Sequence, residues 1–218
     1  MVAVTQRQHA MLNPLAVFRE PMTLDDYLAS RFIVSPLRRP DICMISDGGA
    51  ALIVTAPERA ADFPGKPVYL LAGEQQTSPR QYQNDDNLMR PVLRQLRDRV
   101  YDHVGIDRSD VDALYVQDPT SVSILQMLEG FGFVEPGESG PFIAEGRIAL
   151  GSDLPVNTNG GQLSEAYMWG WLHICEAVRQ LRGECGPRQV TDATFIQYRS
   201  TMGFQKVATS ILGTVIPA

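Results

Sequence analysis

Residues 154–183 read LPVNTNGGQLSEAYMWGWLHICEAVRQLRG, and the rest of the chain is organised around them. The first part is extended and ends in Asn159-Gly160-Gly161, small turn-forming residues that open a tight loop. Apolar or small residues then recur at Leu163, Ala166, Tyr167, Gly170, Ile174, Ala177, Val178 and Leu181, the spacing of one buried helical face. Arg179 and Arg182 fall in the last turn, where cations suit a helix C-terminus, and Gly183 follows as a stop. The stretch predicts a strand, a Gly-Gly turn and one helix. Such a turn sets free backbone N–H groups beside the side chains of the first helical turn, a place for chemistry on an oxyanion or phosphate. The same residues also make an ordinary strand–turn–helix connection.

Outward from this stretch, apolar runs and helical patterns alternate. Residues 67–73 (PVYLLAG) read as a buried strand and 88–104 as an amphipathic helix, with Leu88, Val92, Leu96 and Val100 at helical spacing. Residues 111–116 (VDALYV) form another strand, followed by Gln117-Asp118-Pro119-Thr120 and a helix over 121–132. Residues 135–153 are Gly-rich and loop-like, and two strands are expected near the end, at 193–198 and 207–212. Strands alternating with helices, then two adjacent strands, predict an α/β layer with a mixed sheet. Ahead of it, 1–40 is an arm broken at NP, EP, SP and RP, read as starting inside a helix. One short helix stands out there, Leu24 to Leu28, with Thr23 as cap and Asp25 and Asp26 at its positive end. An arm with so little core of its own is expected to pack on something else. From Asp41 the character changes: apolar runs at 42–45 and 50–54 flank Ser46-Asp47-Gly48-Gly49. The division expected is an arm at 1–40 and a domain at 41–218.

With 218 residues the chain can bury a full core. A net charge of -6, evenly spread, argues against a nucleic-acid surface. No run approaches the roughly 18 apolar residues of a membrane span, and the N-terminus has no signal-peptide layout. Cys43, Cys175 and Cys185 are odd in number and widely spaced, pointing to a reducing, cytoplasmic setting. Neither these nor His9, His103 and His173 form a ligand cluster, so no metal is expected.

Candidate chemistry centres on few side chains. Tyr167, one turn into the predicted helix and close to the Gly-Gly loop, can donate a proton to an alkoxide or act as a base; it also fits as a core tyrosine. Gln117 and Asp118 follow a strand, where α/β folds place ligand loops, and Asp118 fits equally as the N-cap of the next helix. Asp47-Gly48-Gly49 lacks the spacing of a nucleotide loop and reads as a turn. Cys43 and Cys175 sit in apolar runs and read as inert core residues. His173 falls on the polar side of the helix and reads as a surface histidine, while Trp169 and Trp171 are packing or contact residues.

Three blocks carry a resemblance: SDGGAALIV at 46–54, the strand–QDPTS–helix–LEGFGF segment at 114–133, and VNTNGGQLSEAYMWG with QLRGECGPRQV at 156–190. Together they resemble the C-terminal half of the thiolase superfamily, nearest the sterol-carrier-protein-x type thiolases and the bacterial steroid side-chain aldolases. The resemblance implies a thiolase-like α/β fold, C-terminal half, with a mixed sheet and helices on both faces. Family members are about twice this length and keep their nucleophilic cysteine in the other half, so 1–40 would end the loop domain over the substrate. The family's histidine and asparagine of the loop after the 111–116 strand fall on Gln117 and Ser123. Its Gly-His-Pro motif falls on Ala166-Tyr167-Met168, and its last catalytic loop on Arg199-Ser200-Thr201-Met202-Gly203. Each replaced group contributes about 10²–10⁴ in rate, so ordinary acyl transfer is not expected.

Tyrosine for that histidine is what the steroid aldolases resemble, which cleave the side chain of a β-hydroxyacyl-CoA by a retro-aldol step. The resemblance therefore implies Tyr167 and Gln117 as catalytic residues, though the aldolases have a second tyrosine where this chain has Gln117. Asn159, Gly160, Gly161, Ser123 and Arg199 are implied as substrate-binding. It implies acyl-CoA as substrate with no separate cofactor, and as partner a subunit carrying the thiolase N-terminal half, an OB-fold protein, or both, in a dimer or hetero-oligomer. Two other functions fit the departures: a non-catalytic acyl-CoA-binding or stabilising subunit, and a fragment of an acetyl-CoA acetyltransferase.

Overall fold

A computed structural model describes residues 1–77, 89–202 and 206–217. Leu88 and Gly203, expected in a helix and in the last catalytic loop, lie outside the described residues. In chain order the elements are α1 (Val2–Met11), α2 (Leu24–Ala29), a small hairpin of β1 (Phe32–Val34) and β2 (Leu37–Arg38), β3 (Tyr69–Thr77), α3 (Met89–Val104), β4 (Ala113–Val116), α4 (Val122–Gly130), α5 (Ser139–Ala144), α6 (Gly161–Ser164), α7 (Trp171–Arg182), β5 (Phe195–Met202) and β6 (Lys206–Gly213).

The four apolar runs expected as strands build one sheet in the order β3-β6-β5-β4. β3 pairs antiparallel with β6 and β6 antiparallel with β5, while β5 and β4 run parallel, with Tyr115 opposite Tyr198 and Val116 opposite Arg199. Ala113, Leu114, Tyr115 and Val116 are all fully buried, the continuous apolar run of a strand covered on both faces. Alternation divides the sheet's side chains between two cores. Leu114, Val116, Val207 and Ile211 meet Leu93, Leu96 and Val100 of α3 and Ile124, Met127 and Leu128 of α4. Ala113, Tyr115, Ile196, Tyr198 and Leu212 meet Ala177 and Leu181 of α7. The sheet is mixed and helices cover both faces, as the sequence predicts.

Three expectations are corrected, and one apolar run proves exposed. Residues 135–153 contain α5, whose Phe142 and Ile143 are buried. The first part of the arm packs on this chain itself: α1 lies on α6, and Val2 and Ala3 enter the α3–α4 core. The apolar run 50–54 forms no strand, and Ile45, Ile53 and Val54 are 103%, 81% and 86% exposed. The single helix predicted after Gly161 is two helices. A mid-helix glycine already costs about 1 kcal/mol relative to alanine, and Trp169 and Gly170 take φ of 52° and 85°, which no helix tolerates.

The free edge of β4 is closed by residues 155–157, and this places everything that follows. Leu114 N–H donates to Pro155 O, and Asn157 N–H donates to Leu114 O, each at 2.9 Å. The Asn157 side chain then continues the ladder, accepting from Val116 N–H through Oδ1 at 2.7 Å and donating from Nδ2 to Val116 O at 2.9 Å. Fully buried and at φ 52°, Asn157 turns the chain across the C-terminal end of β4. Asparagine suits the place, since it tolerates the left-handed region and carries both a donor and an acceptor.

Candidate active site beyond the C-terminal end of β4

The catalytic and substrate-binding residues singled out in the sequence fall into three groups around the C-terminal end of β4, and of them Tyr167 alone is among the residues that line the cavity described below. Gln117 leaves the strand first: its N–H donates to Arg199 O at 2.9 Å. Its Oε1 accepts from Ser200 Oγ at 2.6 Å and from Thr201 N–H at 3.0 Å. With both bonds on the oxygen, the amide is turned so that Nε2 is its remaining donor. Ser123 and Arg199 lie on the α4 side, where Arg199 Nη1 donates to Ser123 O at 3.5 Å. Arg199 is fully buried, and its Nε and Nη2 find no partner among the described residues. Burial lowers its guanidinium to about 10, against a smaller opposing effect of Tyr198.

The second group is the turn itself. Asn159, Gly160 and Gly161 are buried, and the N–H groups of the two glycines are already used. Gly160 N–H donates to Asn157 O at 2.9 Å, Gly161 N–H to Asn159 Oδ1 at 3.3 Å, and Gln162 N–H to Asp118 Oδ1 at 2.9 Å. The free donors expected of a Gly-Gly turn are therefore spent inside the protein. Gly160 and Gly161 are required by close approach: a Cβ would stand 2.6 Å from Ala10 Cβ at the first, and 2.5 Å from Asp118 Oδ2 at the second.

Asp118 is not the N-cap of α4. That position is Ser121, with no side-chain cap bond, and the Asp118 carboxylate points instead at the turn and at α7. There it meets His173, which the sequence reading put on the surface and which is 1% exposed. His173 donates Nε2–H to Asp118 Oδ1 at 3.0 Å, and its Nδ1 accepts from Asn159 Nδ2 at 3.1 Å. Asn159 Nδ2 also donates to Glu165 Oε2, and Glu165 Oε1 accepts from Asn13 Nδ2 at 2.9 Å. Burial pushes the Glu165 carboxyl up, against the opposing effects of His173 and Asn13.

The signal for His173 was in the sequence but reads against hydrophobicity. His173, Glu176 and Gln180 recur at i, i+3 and i+7 and are all buried, a polar stripe beside the expected apolar one of Ala177 and Leu181. Each polar member has a partner: Glu176 takes a bidentate pair with Arg188 at 2.5 and 3.0 Å, and Gln180 donates to Thr158 Oγ1 at 2.9 Å.

The third group surrounds Tyr167, which lies in the irregular link between α6 and α7, not inside a helix. Its N–H donates to Ser46 Oγ at 3.1 Å, and its ring tilts against Trp169 with centroids 5.4 Å apart. Tyr167 lines a cavity of about 610 Å³ with Cys43, Ser46, Met168, Trp169 and Trp171. Asp47 and its glycines serve the wall of this cavity through Gly48 and Gly49 and hold no anion cradle. Cys43 is thus a half-buried cavity residue rather than core, with its N–H on Pro119 O at 3.0 Å. Burial raises the Tyr167 phenol above its ordinary range, with a smaller push from Cys43. A helix N-terminus that would lower it is not in place, because α6 ends before Tyr167. Burial also raises all three thiols, Cys185 to about 12. None is primed as a nucleophile.

Residues 73–214 match the family described as thiolase C-terminal domain-like. The chain belongs to that family. It is 40% identical over 188 residues to a steroid side-chain-cleaving aldolase of Thermomonospora curvata, a match covering 84% of this chain and 48% of the relative. It is 41% identical over 189 residues to a 17-hydroxy-3-oxo-4-pregnene-20-carboxyl-CoA lyase of Mycobacterium tuberculosis, covering 84% and 49%. A solved structure titled Ltp2-ChsH2(DUF35) aldolase superposes with a TM-score of 0.91 at 38% identity, over 97% of this chain and 56% of that one. A monomeric SCP2-thiolase like protein of Mycobacterium smegmatis, 20% identical with a TM-score of 0.75, shares the fold. The chain spans about half the length of the curated relatives it matches. Among the described residues no helix is long and apolar enough to cross a membrane.

Proposed function

We propose that this chain is the C-terminal half of a thiolase-like C–C lyase that cleaves a β-hydroxyacyl-CoA by a retro-aldol step. The observation that carries this reading is Tyr167 on the wall of a 610 Å³ cavity in a chain whose own thiols are all raised. Such a site favours proton transfer over acyl-enzyme formation. Its relatives named as side-chain-cleaving aldolase and carboxyl-CoA lyase support the same reaction class.

In this reaction the β-hydroxyl proton passes to the Tyr167 oxygen in its phenolate form. The O–H electron pair becomes the new carbonyl bond, the Cα–Cβ bond breaks, and its pair enters the thioester as an enolate. Return of the proton from Tyr167 to Cα completes the acyl-CoA product and restores the phenolate, so no oxidant, reductant or further cofactor is consumed. Gln117 Nε2, its amide held by Ser200 and Thr201, is the donor offered to the thioester oxygen. The backbone of Asn159–Gly161 serves as the buttress of the site, and Arg199 and Ser123 face its α4 side.

Activity is assigned to the assembly with the polypeptide that corresponds to the remaining half of the relatives. The solved aldolase named together with a DUF35 protein supports a further partner of that kind. The test is cleavage of a β-hydroxyacyl-CoA by the chain co-purified with its other half, followed by release of the carbonyl product and the shortened acyl-CoA. Stoichiometric acylation of a cysteine on this chain, without carbonyl release, would replace this reading by acyl transfer.

A further inference from the structure

The link that carries Tyr167 is pinned at both ends, and the upstream pin leads to His173. Downstream, Gly170 lies against the Tyr198 hydroxyl. Upstream, Glu165 stands two residues before Tyr167 and is held by its Oε1 on Asn13 and its Oε2 on Asn159. Asn159 is itself held: one Nδ2 hydrogen goes to Glu165, the other to His173 Nδ1. His173 is fixed in turn by Asp118, which also takes the Gln162 N–H.

Donors and acceptors along this chain of contacts allow one assignment. A carboxylate only accepts, so the Asn159 side chain must present its nitrogen to Glu165, and the same nitrogen then faces His173 Nδ1. Nδ1 is therefore the bare acceptor, and the ring hydrogen is on Nε2, directed at Asp118. Every atom of the ring that can hydrogen-bond is committed to a neighbour within the fold, in a site 1% exposed. The imidazole has no path to substrate, and its contribution to catalysis is geometric.

Resting on the reading of Tyr167 given above, we propose that His173 is a positioning residue for Tyr167. As the Nε2–H tautomer it locks Asp118 to Asn159, and through Asn159 and Glu165 it sets where the Tyr167 link leaves α6. Misplacing a catalytic group by about 1 Å costs on the order of 10²-fold in rate. The consequence falls on turnover more than on binding, because the cavity wall formed by 43–50 does not depend on the imidazole.

Two variants and two measurements without turnover test this. His173→Phe keeps a buried ring but has neither nitrogen. His173→Gln carries one acceptor and one donor and can serve both neighbours. In the assembled protein, His173→Phe should lower kcat about 10²-fold with KM within threefold, and His173→Gln should recover most of the loss. A His173→Phe protein with kcat within threefold of the parent, or a His173→Gln protein as impaired as His173→Phe, would overturn the proposal. On the chain labelled at its three histidines, nitrogen NMR should show His173 protonated at Nε2 alone. Amide exchange at Gln162 should quicken at least tenfold in His173→Phe but not in His173→Gln. A hydrogen on Nδ1, or unchanged Gln162 exchange in His173→Phe, would equally overturn it. If the parent assembly cleaves no β-hydroxyacyl-CoA, the reaction assignment fails, and the tautomer and Gln162 exchange decide the clamp by themselves.

Discussion

The Tyr198 hydroxyl lies 2.1 Å from the point where a Cβ on Gly170 would stand. Gly170 caps α7 at φ 85°, so both the space and the backbone conformation exclude a side chain. Gly170→Ala must move Tyr198 out of the α7 core or straighten the link that presents Tyr167. Left-handed strain and overpacking together should cost roughly 2–5 kcal/mol. Denaturant unfolding measures this, and a loss below about 1 kcal/mol would mean that the turn at Gly170 is not held as described.

Tyr167→Phe removes the phenol oxygen and keeps the ring that packs against Trp169. In the assembled enzyme kcat should fall about 10²–10⁴-fold with KM much less affected. Folding should change little, because Tyr167 makes no side-chain hydrogen bond among the described residues. Gln117→Ala should be milder, since an amide orients and polarises but carries no proton. Parent-like turnover within threefold in a folded Tyr167→Phe protein would remove Tyr167 from the mechanism.

The raised Tyr167 phenol gives this reaction a pH dependence with a definite sign. The base form is the scarce one at neutral pH, so kcat should climb about tenfold per pH unit while the phenol remains protonated. No plateau is expected below the ordinary tyrosine range. A rate that levels off near pH 7 would assign the proton transfer to another group, or to a Tyr167 whose phenol the partner half depresses.

His9 predicts acid sensitivity of the fold itself. It donates Nδ1–H to Asn157 O at 3.1 Å and accepts from Leu150 N–H through Nε2 at 2.9 Å, so the folded state holds it neutral. Burial is the main cause that lowers it from 6.5 to about 4, against the backbone bonds that favour the charged form. Below pH 6.5 the unfolded chain binds a proton that the folded chain refuses until about pH 4. Stability from this group is complete above pH 6.5 and is lost as pH falls through that window, by about 3 kcal/mol in all. Urea midpoints between pH 7 and 4 should show this loss for the parent and a smaller one for His9→Gln. Equal loss in both would place the acid sensitivity elsewhere.

The exposed run around Ile45, Ile53 and Val54 predicts association. Extended, unpaired and apolar, it offers both backbone donors and hydrophobic surface to a partner strand. Sedimentation should find the chain self-associated at micromolar concentration, or in a stable complex with its other half. Ile53→Asp with Val54→Asp should weaken that association at least tenfold and leave α7 and the sheet intact. A monodisperse monomer that does not bind the other half would contradict this.

The sheet, its two helical layers and the family were legible in the sequence because their signals are local. VDALYV is a buried strand wherever it lies, and the QDPTS and NTNGGQLSEAY blocks stand on contiguous residues. Tyr167 was singled out for the same reason: it occupies a motif position. What the sequence did not disclose are the places where polar groups are buried together. Periodicity assigns His173 to the surface because an unpaired imidazole would be costly inside. Only the fold brings Asp118, 55 residues away, and Asn159, 14 residues away, to satisfy it. Likewise Asp118 looked like a helix cap until the closing of β4 by Asn157 carried the Gln162 N–H to its carboxylate. The break at Trp169-Gly170 was hidden by an apolar stripe that runs unbroken through it. Local pattern fixes which segments are helix and strand; partners distant in the chain decide which polar residues go inside, and those residues hold the site.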